Sequence, residues 1–90
     1  PHNPYGPVAL AANLHACLAM PNFLTLEHWR YYSFFNEVQL DGPRMKDGYL
    51  ELPSKPGLGV DLNWDFIAKH PYHSLHAYSF PEADGGFVLV

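Results

Sequence analysis

The sequence is poor in cations, contains a single cysteine and lacks a long hydrophobic run. Only five of its 90 residues are Lys or Arg, against nine Asp or Glu, so the net charge is −4 at pH 7. Proteins that bind nucleic acid or anionic membranes use clustered cations to neutralise phosphates or attract lipid headgroups. This composition therefore argues against both kinds of partner. The single cysteine, Cys17, excludes an internal disulfide and fits a reducing, cytoplasmic location.

The longest apolar run is about a dozen residues and is interrupted by Asn13 and His15, so it is too short for a membrane span. The chain begins with the letters PHNP, which contain neither an initiator methionine nor the start of a signal sequence. We therefore expect the numbering to begin inside a longer protein or after processing.

An Ala- and Leu-rich segment from Val8 to Met20 predicts a helix, with Pro7 at its first position and Pro21 after its end. The segment is apolar nearly all the way round. A helix that lacks a polar face is expected to be buried on several sides, and the rest of the chain is too short to wrap it. We therefore expect a larger body to cover this helix.

Shorter elements are predicted after this helix. Phe23 to Glu27 is typical of a strand, and residues 28–46 form a long aromatic-rich excursion without a clean period. The remaining predictions are an Asp47-Gly48 turn into a strand at 49–52, a helix at 64–69 capped by Asn63, and strands at 76–80 and 87–90.

Two sequence blocks resemble a known family. Residues 1–28, PHNPYGPVALAANLHACLAMPNFLTLEH, place an H-N-P-x-G-P turn before a small-residue helix, then a P-N-F segment and an apolar stretch that ends in Glu. Residues 47–63, DGYLELPSKPGLGVDLN, contain D-G-x-x-x-x-P and P-G-L-G-V signatures. In this order and spacing the blocks resemble the mandelate racemase and muconate lactonizing group of the enolase superfamily, especially sugar-acid dehydratases such as D-galactonate dehydratase.

The resemblance implies an α/β fold, the C-terminal part of a (β/α)7β TIM-like barrel. Residues 1–46 would contain the end of strand 7, helix 7, strand 8 and the aromatic-rich loop. Residues 47–90 would be a post-barrel segment that normally returns to an α+β capping domain. Active sites of such barrels lie at the C-terminal ends of the strands, and His2 and Glu27 both occupy strand-exit positions.

The resemblance also implies a reaction on a sugar acid (an aldonate). The family removes a proton next to the substrate carboxylate, and a bound Mg2+ stabilises the enediolate as a Lewis acid. A dehydratase then expels the β-hydroxyl as water. His2 matches the family's general acid or base, a role that suits a side chain titrating near neutrality. Glu27 matches a residue that donates a hydrogen bond to the enediolate oxygen, which requires a protonated carboxyl.

The resemblance leaves the metal outside this chain. The family's magnesium ligands lie on earlier barrel strands, so we expect no metal ligand among these 90 residues and no activity from them in isolation. The full-length enzyme would be a homo-oligomer. Other possibilities stay open: a racemase or cycloisomerase of the same superfamily, a non-catalytic barrel segment, or a stand-alone α+β binding module.

Several other residues favour structural interpretations. His15, inside the helix, is expected to pack against its neighbours, and Cys17 to act as a small buried hydrophobe. The aromatic cluster from Trp29 to Phe35 favours packing or a subunit contact over a substrate pocket, because aromatic residues are enriched at interfaces.

A zinc site is the remaining candidate, because His70, His73 and His76 form an H-x2-H-x2-H pattern. Pro71 breaks any helix that would align them, and no cysteine completes a ligand set. We therefore predict that isothermal titration of zinc or magnesium into the chain shows no stoichiometric sub-micromolar site. A stoichiometric zinc site would contradict this prediction and assign the three histidines as ligands.

Overall fold

Helix α1 (Pro7–Leu18) forms the first part of the chain in the computed structural model, which describes residues 1–28, 34–72, 79–81 and 87–89. Pro7 stands at the start of the helix, where its missing N–H leaves no bond unmade. The helix ends two residues before Met20, because a residue that precedes a proline avoids the helical region. The predicted helix is confirmed.

One side of α1 carries the core of the first part of the chain. The residues buried on this side are Pro7, Leu10, Ala11, Leu14 and Cys17. The opposite side exposes small apolar residues, Val8, Ala12 and Ala16, and Val8 is 44% accessible to solvent. We expected α1 to be buried on several sides, but the described part of the chain covers only one side of this helix.

The segment after α1 reverses direction and is extended. The Phe23 amide donates to the Met20 carbonyl at 3.3 Å, and residues 23–28 then run back towards the start of the helix. No strand is assigned at Phe23 to Glu27, so the strand predicted there is not confirmed. A β-strand is completed by hydrogen bonds to a neighbour, and within the described ranges no strand pairs with these residues.

Three antiparallel pairs of short strands make up the β-structure that is described. Strand β1 (Gln39–Asp41) pairs with β4 (Asp61–Leu62), β2 (Met45–Lys46) pairs with β3 (Tyr49–Leu50), and β5 (Ser79–Pro81) pairs with β6 (Phe87–Leu89). The molecule thus mixes helix and strand. Strands were expected at 76–80 and 87–90; of these, residues 76–78 and 90 lie outside the described residues.

The β2–β3 hairpin confirms the predicted turn. Asp47 and Gly48 have φ angles of 52° and 83°, the left-handed pair that a two-residue hairpin turn requires. The strand that follows ends at Leu50, two residues earlier than predicted. The division of the chain at residue 46 stays a prediction.

Helix α2 (Trp64–Lys69) also forms as predicted. The Asn63 side chain accepts a hydrogen bond from the Phe66 amide at 3.1 Å, which satisfies one of the free N–H groups of the first turn. Asp65 lies in that first turn, where its charge opposes the helix dipole favourably. The Asn63 amide in turn donates to the Val38 carbonyl at 2.9 Å, which ties α2 to the β1–β4 region. In the described part of the chain, helices are all too short or too polar to cross a membrane.

Two glycines in the loop before β4 allow the cost of a steric clash to be separated from the cost of backbone strain. Gly57 and Gly59 have φ angles of 69° and 67°, but a Cβ at Gly57 would meet nothing within 4 Å, whereas one at Gly59 would lie 2.2 Å from the Pro53 Cβ. Gly57→Ala should therefore cost only the strain of a left-handed residue, about 1–2 kcal/mol. Gly59→Ala should cost about 1–3 kcal/mol more, because the loop must also move away from Pro53.

Urea unfolding of the two variants and the parent protein measures this difference. Gly57→Ala is the matched control for Gly59→Ala, since the two share the substitution and the backbone conformation. Equal unfolding midpoints for the two variants would show that Pro53 does not restrict position 59.

Candidate active site

His2 and Glu27 lie together at the N-terminal end of α1. His2 precedes the helix, and Glu27 arrives there because residues 23–28 return along the helix after the reversal at Met20 to Phe23. The His2 Nδ1 and the Glu27 Oε2 are 2.7 Å apart. The sequence predicted both residues at the same end of the helix–strand unit, and this contact confirms their placement. Their catalytic roles stay predictions.

Asn3 holds Glu27 from two directions. Its backbone N–H donates to the Glu27 Oε2 at 2.7 Å, and its side-chain Nδ2 donates to the Glu27 backbone carbonyl at 3.2 Å. Asn13, in the second turn of α1, donates from its Nδ2 to the Asn3 Oδ1 at 3.0 Å. Asn3 is completely buried. This amide pair was not predicted from the sequence; its signal is a polar residue, Asn13, within an otherwise apolar helix.

The hydrogen bonds favour one proton arrangement of the pair. The Glu27 Oε2 accepts the Asn3 N–H, which places the accepting, charge-bearing oxygen towards His2. We therefore assign the His2 proton to Nδ1, where it donates to the Glu27 carboxylate, as in carboxylate–imidazole pairs whose tautomer is set by the partner. The second ring nitrogen, Nε2, then carries the lone pair. The His2 side chain is 72% exposed to solvent and that of Glu27 36% exposed.

The expected role of Glu27 as a donor to an enediolate meets a geometric restriction. With Oε2 accepting from two N–H groups, a carboxyl proton would have to sit on Oε1. The role of Glu27 as a donor stays a prediction, and Oε1 would be the donating oxygen.

The other histidine and cysteine candidates take structural positions. The His15 Nε2 contacts the Leu58 carbonyl at 3.3 Å, the His70 Nδ1 contacts the Phe66 carbonyl at 2.8 Å, and Cys17 is a buried free thiol. His73 and His76 lie outside the described residues, so the zinc pattern is untested. Among the residues that are described, no three His, Cys, Asp or Glu side chains come together as metal ligands.

The predicted aromatic cluster is described only at its end, because Trp29 to Tyr32 lie outside the described residues. Phe35 is buried and packs edge-on against the His28 ring, with 5.0 Å between the ring centres. Phe34 lies 6.5 Å from the Phe66 ring of α2. These contacts are packing contacts.

A cleft of about 290 Å³ lies near β1 and is lined by side chains of both charges, Asp41, Arg44, Glu51 and Lys55. The Lys55 ammonium pairs with the Asp41 carboxylate. The hydrogen bond and charge of Lys55 lower the pKa of Asp41, and the same pair raises the pKa of Lys55. Because these opposite charges satisfy one another, we assign this cleft no ligand.

The family of this chain follows from its similarity to known proteins. The sequence profile of the enolase C-terminal domain-like family matches residues 1–66. The chain belongs to that family. The resemblance found in the two sequence blocks is confirmed, and the family implies the C-terminal part of a TIM barrel.

Sugar-acid dehydratases are among the relatives of this enolase-superfamily chain. A D-galactonate dehydratase family member of Streptomyces bingchenggensis is 38% identical over 90 residues, 98% of this chain and 22% of that protein. A D-mannonate dehydratase of Caulobacter vibrioides is 41% identical over 66 residues, 73% of this chain and 16% of that protein. A D-xylonate dehydratase of Haloferax volcanii is 31% identical over 70 residues, 77% of this chain and 17% of that protein. The chain therefore spans between 16% and 22% of the length of these relatives. No solved structure matches it.

The proton position on His2 is testable by NMR. Neutral His2 is expected to carry its proton on Nδ1, because Glu27 accepts it there. Long-range 1H–15N correlation distinguishes the two tautomers. Two other histidines of the chain serve as reference spectra, one for each tautomer. His70 must donate from Nδ1 and His15 from Nε2, since a backbone carbonyl only accepts. A His2 spectrum of the His15 type would contradict the assignment, whereas Glu27→Ala should remove the Nδ1 preference.

Proposed function

We propose that this chain is part of a magnesium-dependent sugar-acid dehydratase, which removes the proton next to a substrate carboxylate and eliminates the β-hydroxyl as water. The observation that carries the proposal is the contact of 2.7 Å between the His2 imidazole and the Glu27 carboxylate. The names of the relatives, which refer to galactonate, mannonate and xylonate, support an aldonate substrate. Cytoplasmic location and homo-oligomerisation stay predictions from sequence.

We further propose that His2 and Glu27 occupy the exits of barrel strands 7 and 8. In such barrels the reacting groups project from the C-terminal ends of several strands towards a common site. The arrangement seen here supports this placement, because the reversal after α1 brings residue 27 back beside residue 2. The described contacts bring together side chains that are distant in sequence and capable of proton transfer.

His2 moves the proton in this proposal. With its Nδ1–H donating to Glu27, the Nε2 lone pair takes the proton from the substrate carbon, and the C–H electrons enter the carboxylate group to form an enediolate. Alternatively, a protonated Nε2 gives its proton to the β-hydroxyl as the C–O bond breaks, so that water leaves. Glu27, beside this histidine, would donate a hydrogen bond from a protonated carboxyl group to the developing enediolate oxygen, as the family resemblance implies.

Magnesium would supply Lewis-acid stabilisation of the enediolate. The described residues of this chain do not fit a magnesium site, because His, Cys, Asp and Glu side chains do not cluster among them. The proposal therefore places the magnesium ligands in the part of the full-length protein that lies outside this chain.

A racemase or cycloisomerase of the same superfamily would use the same pair of residues, and a non-catalytic segment or binding module would use neither. Analysis of products separates these functions. A dehydratase lowers the mass of an aldonate by one water and yields a 2-keto-3-deoxy acid. A racemase or cycloisomerase leaves the mass unchanged, and a binding module leaves the aldonate intact.

His2→Asn is predicted to abolish turnover in the full-length protein that carries this chain. A general acid or base contributes on the order of 10²–10⁴-fold to the rate, and an asparagine amide cannot transfer the proton. Magnesium binding should be nearly unchanged, because the described part of this chain provides no ligand set. Steady-state rates on galactonate, mannonate and xylonate, measured beside magnesium titrations, test this. His15→Asn is the matched control and should retain turnover; near-normal turnover of His2→Asn would refute the assignment of His2.

Glu27→Gln is predicted to be damaging but milder. The amide N–H of glutamine can partly replace the hydrogen bond that the Glu27 carboxyl group would donate to the developing oxyanion. The loss should stay below the 10²–10³-fold that removal of a whole electrostatic contact in an active site costs. kcat of Glu27→Gln and Glu27→Ala, compared on the best substrate, measures this. A Glu27→Ala variant as active as the parent would exclude any role for Glu27.

A further inference from the structure

We propose that Asp47 is a site of spontaneous isomerisation, at which aspartate converts to isoaspartate through a cyclic succinimide formed with Gly48. The structure describes two Asp-Gly sequences, at 41–42 and 47–48, and a third, at 84–85, lies outside the described residues. Packing and hydrogen bonds hold the sequence at 41–42, whereas the one at 47–48 forms the exposed tip of a short hairpin. The modification concerns the protein itself and is independent of the proposed function.

The reaction requires these two residues and the loss and return of one water. The backbone nitrogen of Gly48 attacks the side-chain Cγ of Asp47, the amide proton and the carboxyl hydroxyl leave together as water, and a five-membered ring closes. Water then opens the ring at either carbonyl. One opening regenerates aspartate, and the other leaves the main chain running through the former side-chain carboxyl. Glycine favours the attack, because it has no Cβ to block the approach.

The tip of the β2–β3 hairpin is accessible for this reaction. Asp47 and Gly48 are both exposed, and a Cβ built on Gly48 would meet nothing within 4 Å. Strands β2 and β3, which hold the tip, are each two residues long. A hairpin of two isolated strands is at best marginally stable. The turn can therefore open and let the Gly48 nitrogen rotate towards the Asp47 Cγ.

The Asp41-Gly42 sequence is held by a buried side chain. The Gln39 side chain donates from its Nε2 to the Pro43 carbonyl at 3.1 Å, so it bridges the backbone on either side of residues 41 and 42. A Cβ built on Gly42 would collide with the Gln39 Oε1, which shows that the amide packs directly against this glycine. Rotation of the Gly42 nitrogen towards the Asp41 Cγ would have to displace this buried amide.

The Asp41 carboxylate is also less reactive towards a nucleophile. It accepts the Gly42 N–H at 2.9 Å and pairs with the Lys55 ammonium. The hydrogen bond and charge of Lys55 lower the pKa of Asp41, which keeps the carboxyl group ionised. An ionised carboxylate has no hydroxyl that can leave as water, so ring closure is slowed further at this position.

Isoaspartate at position 47 would change the hairpin itself. It inserts one methylene carbon into the main chain of the turn and moves the carboxylate onto the Cα. The turn lies between two residue pairs, Met45 with Leu50 and Lys46 with Tyr49. Because turn geometry and loop length fix the register of a hairpin, we expect this pairing to be lost in the modified chain.

Incubation in H2 18O tests the proposal on the full-length protein that carries this chain. Each opening of a succinimide by solvent introduces one 18O, and cleavage after Arg44 separates the peptides that contain residues 41 and 47 for mass spectrometry. We expect label to enter at Asp47 about tenfold faster than at Asp41, or faster still. The reaction proceeds from locally opened conformations, and a difference of about 1.4 kcal/mol in opening free energy changes their population tenfold.

The same protein unfolded in urea is the matched control, and labelling at the two positions should then become comparable, because the packing around Gly42 is lost. Asp47→Glu should remove the label at position 47, since its ring would need an additional carbon and closes much more slowly. Equal labelling of Asp41 and Asp47 in the folded protein, or no label at Asp47, would overturn the proposal. A difference that persists unchanged in urea would also overturn it, because neighbouring sequence rather than the fold would then set the rates.

Discussion

The contact between Asn3 and Glu27 closes the first 28 residues of the chain into one unit. The segment after α1 pairs with no strand in the described ranges, so hydrogen bonds of Glu27 with Asn3 and His2 hold its end beside the helix. The contact involves a buried amide, so its hydrogen bonds are made in surroundings where water cannot compete and where an unmade bond costs about 1–3 kcal/mol. The placement of His2 opposite Glu27 depends on this closure.

The closure also restricts where a proton on Glu27 can sit. In the structure the His2 Nδ1 and the Asn3 N–H both lie 2.7 Å from the Glu27 Oε2. An oxygen that accepts these hydrogen bonds does not carry the proton itself. The donation to an enediolate that the family resemblance implies would therefore come from Oε1, and it stays a prediction.

Local sequence signals predicted the elements that depend on local physics. Pro7 and the Ala-rich segment specified α1, Asp47-Gly48 specified the left-handed turn, and Asn63 specified the cap of α2. The strand predicted at residues 23–27 is not assigned in the structure, because a strand depends on pairing with a neighbour that the local sequence does not encode. The Asn3–Asn13 pair was missed for a related reason. Two amides ten residues apart form no periodic pattern, and their partnership exists only when residue 27 returns to the start of the helix.

Proline residues frame the segment that holds His2 and Asn3. Pro4 follows Asn3 and excludes the helical region from its backbone, while Pro7 fixes its own φ at the first position of α1. These restrictions act in the unfolded chain as well as in the folded one, so the segment has fewer conformations to lose when it becomes ordered. The entropy needed to hold an imidazole and an amide in a fixed relation is thus lowered before any tertiary contact forms. In this way the short loop of residues 1–6 can hold the His2 imidazole and the Asn3 amide in fixed positions, although it belongs to neither a helix nor a strand.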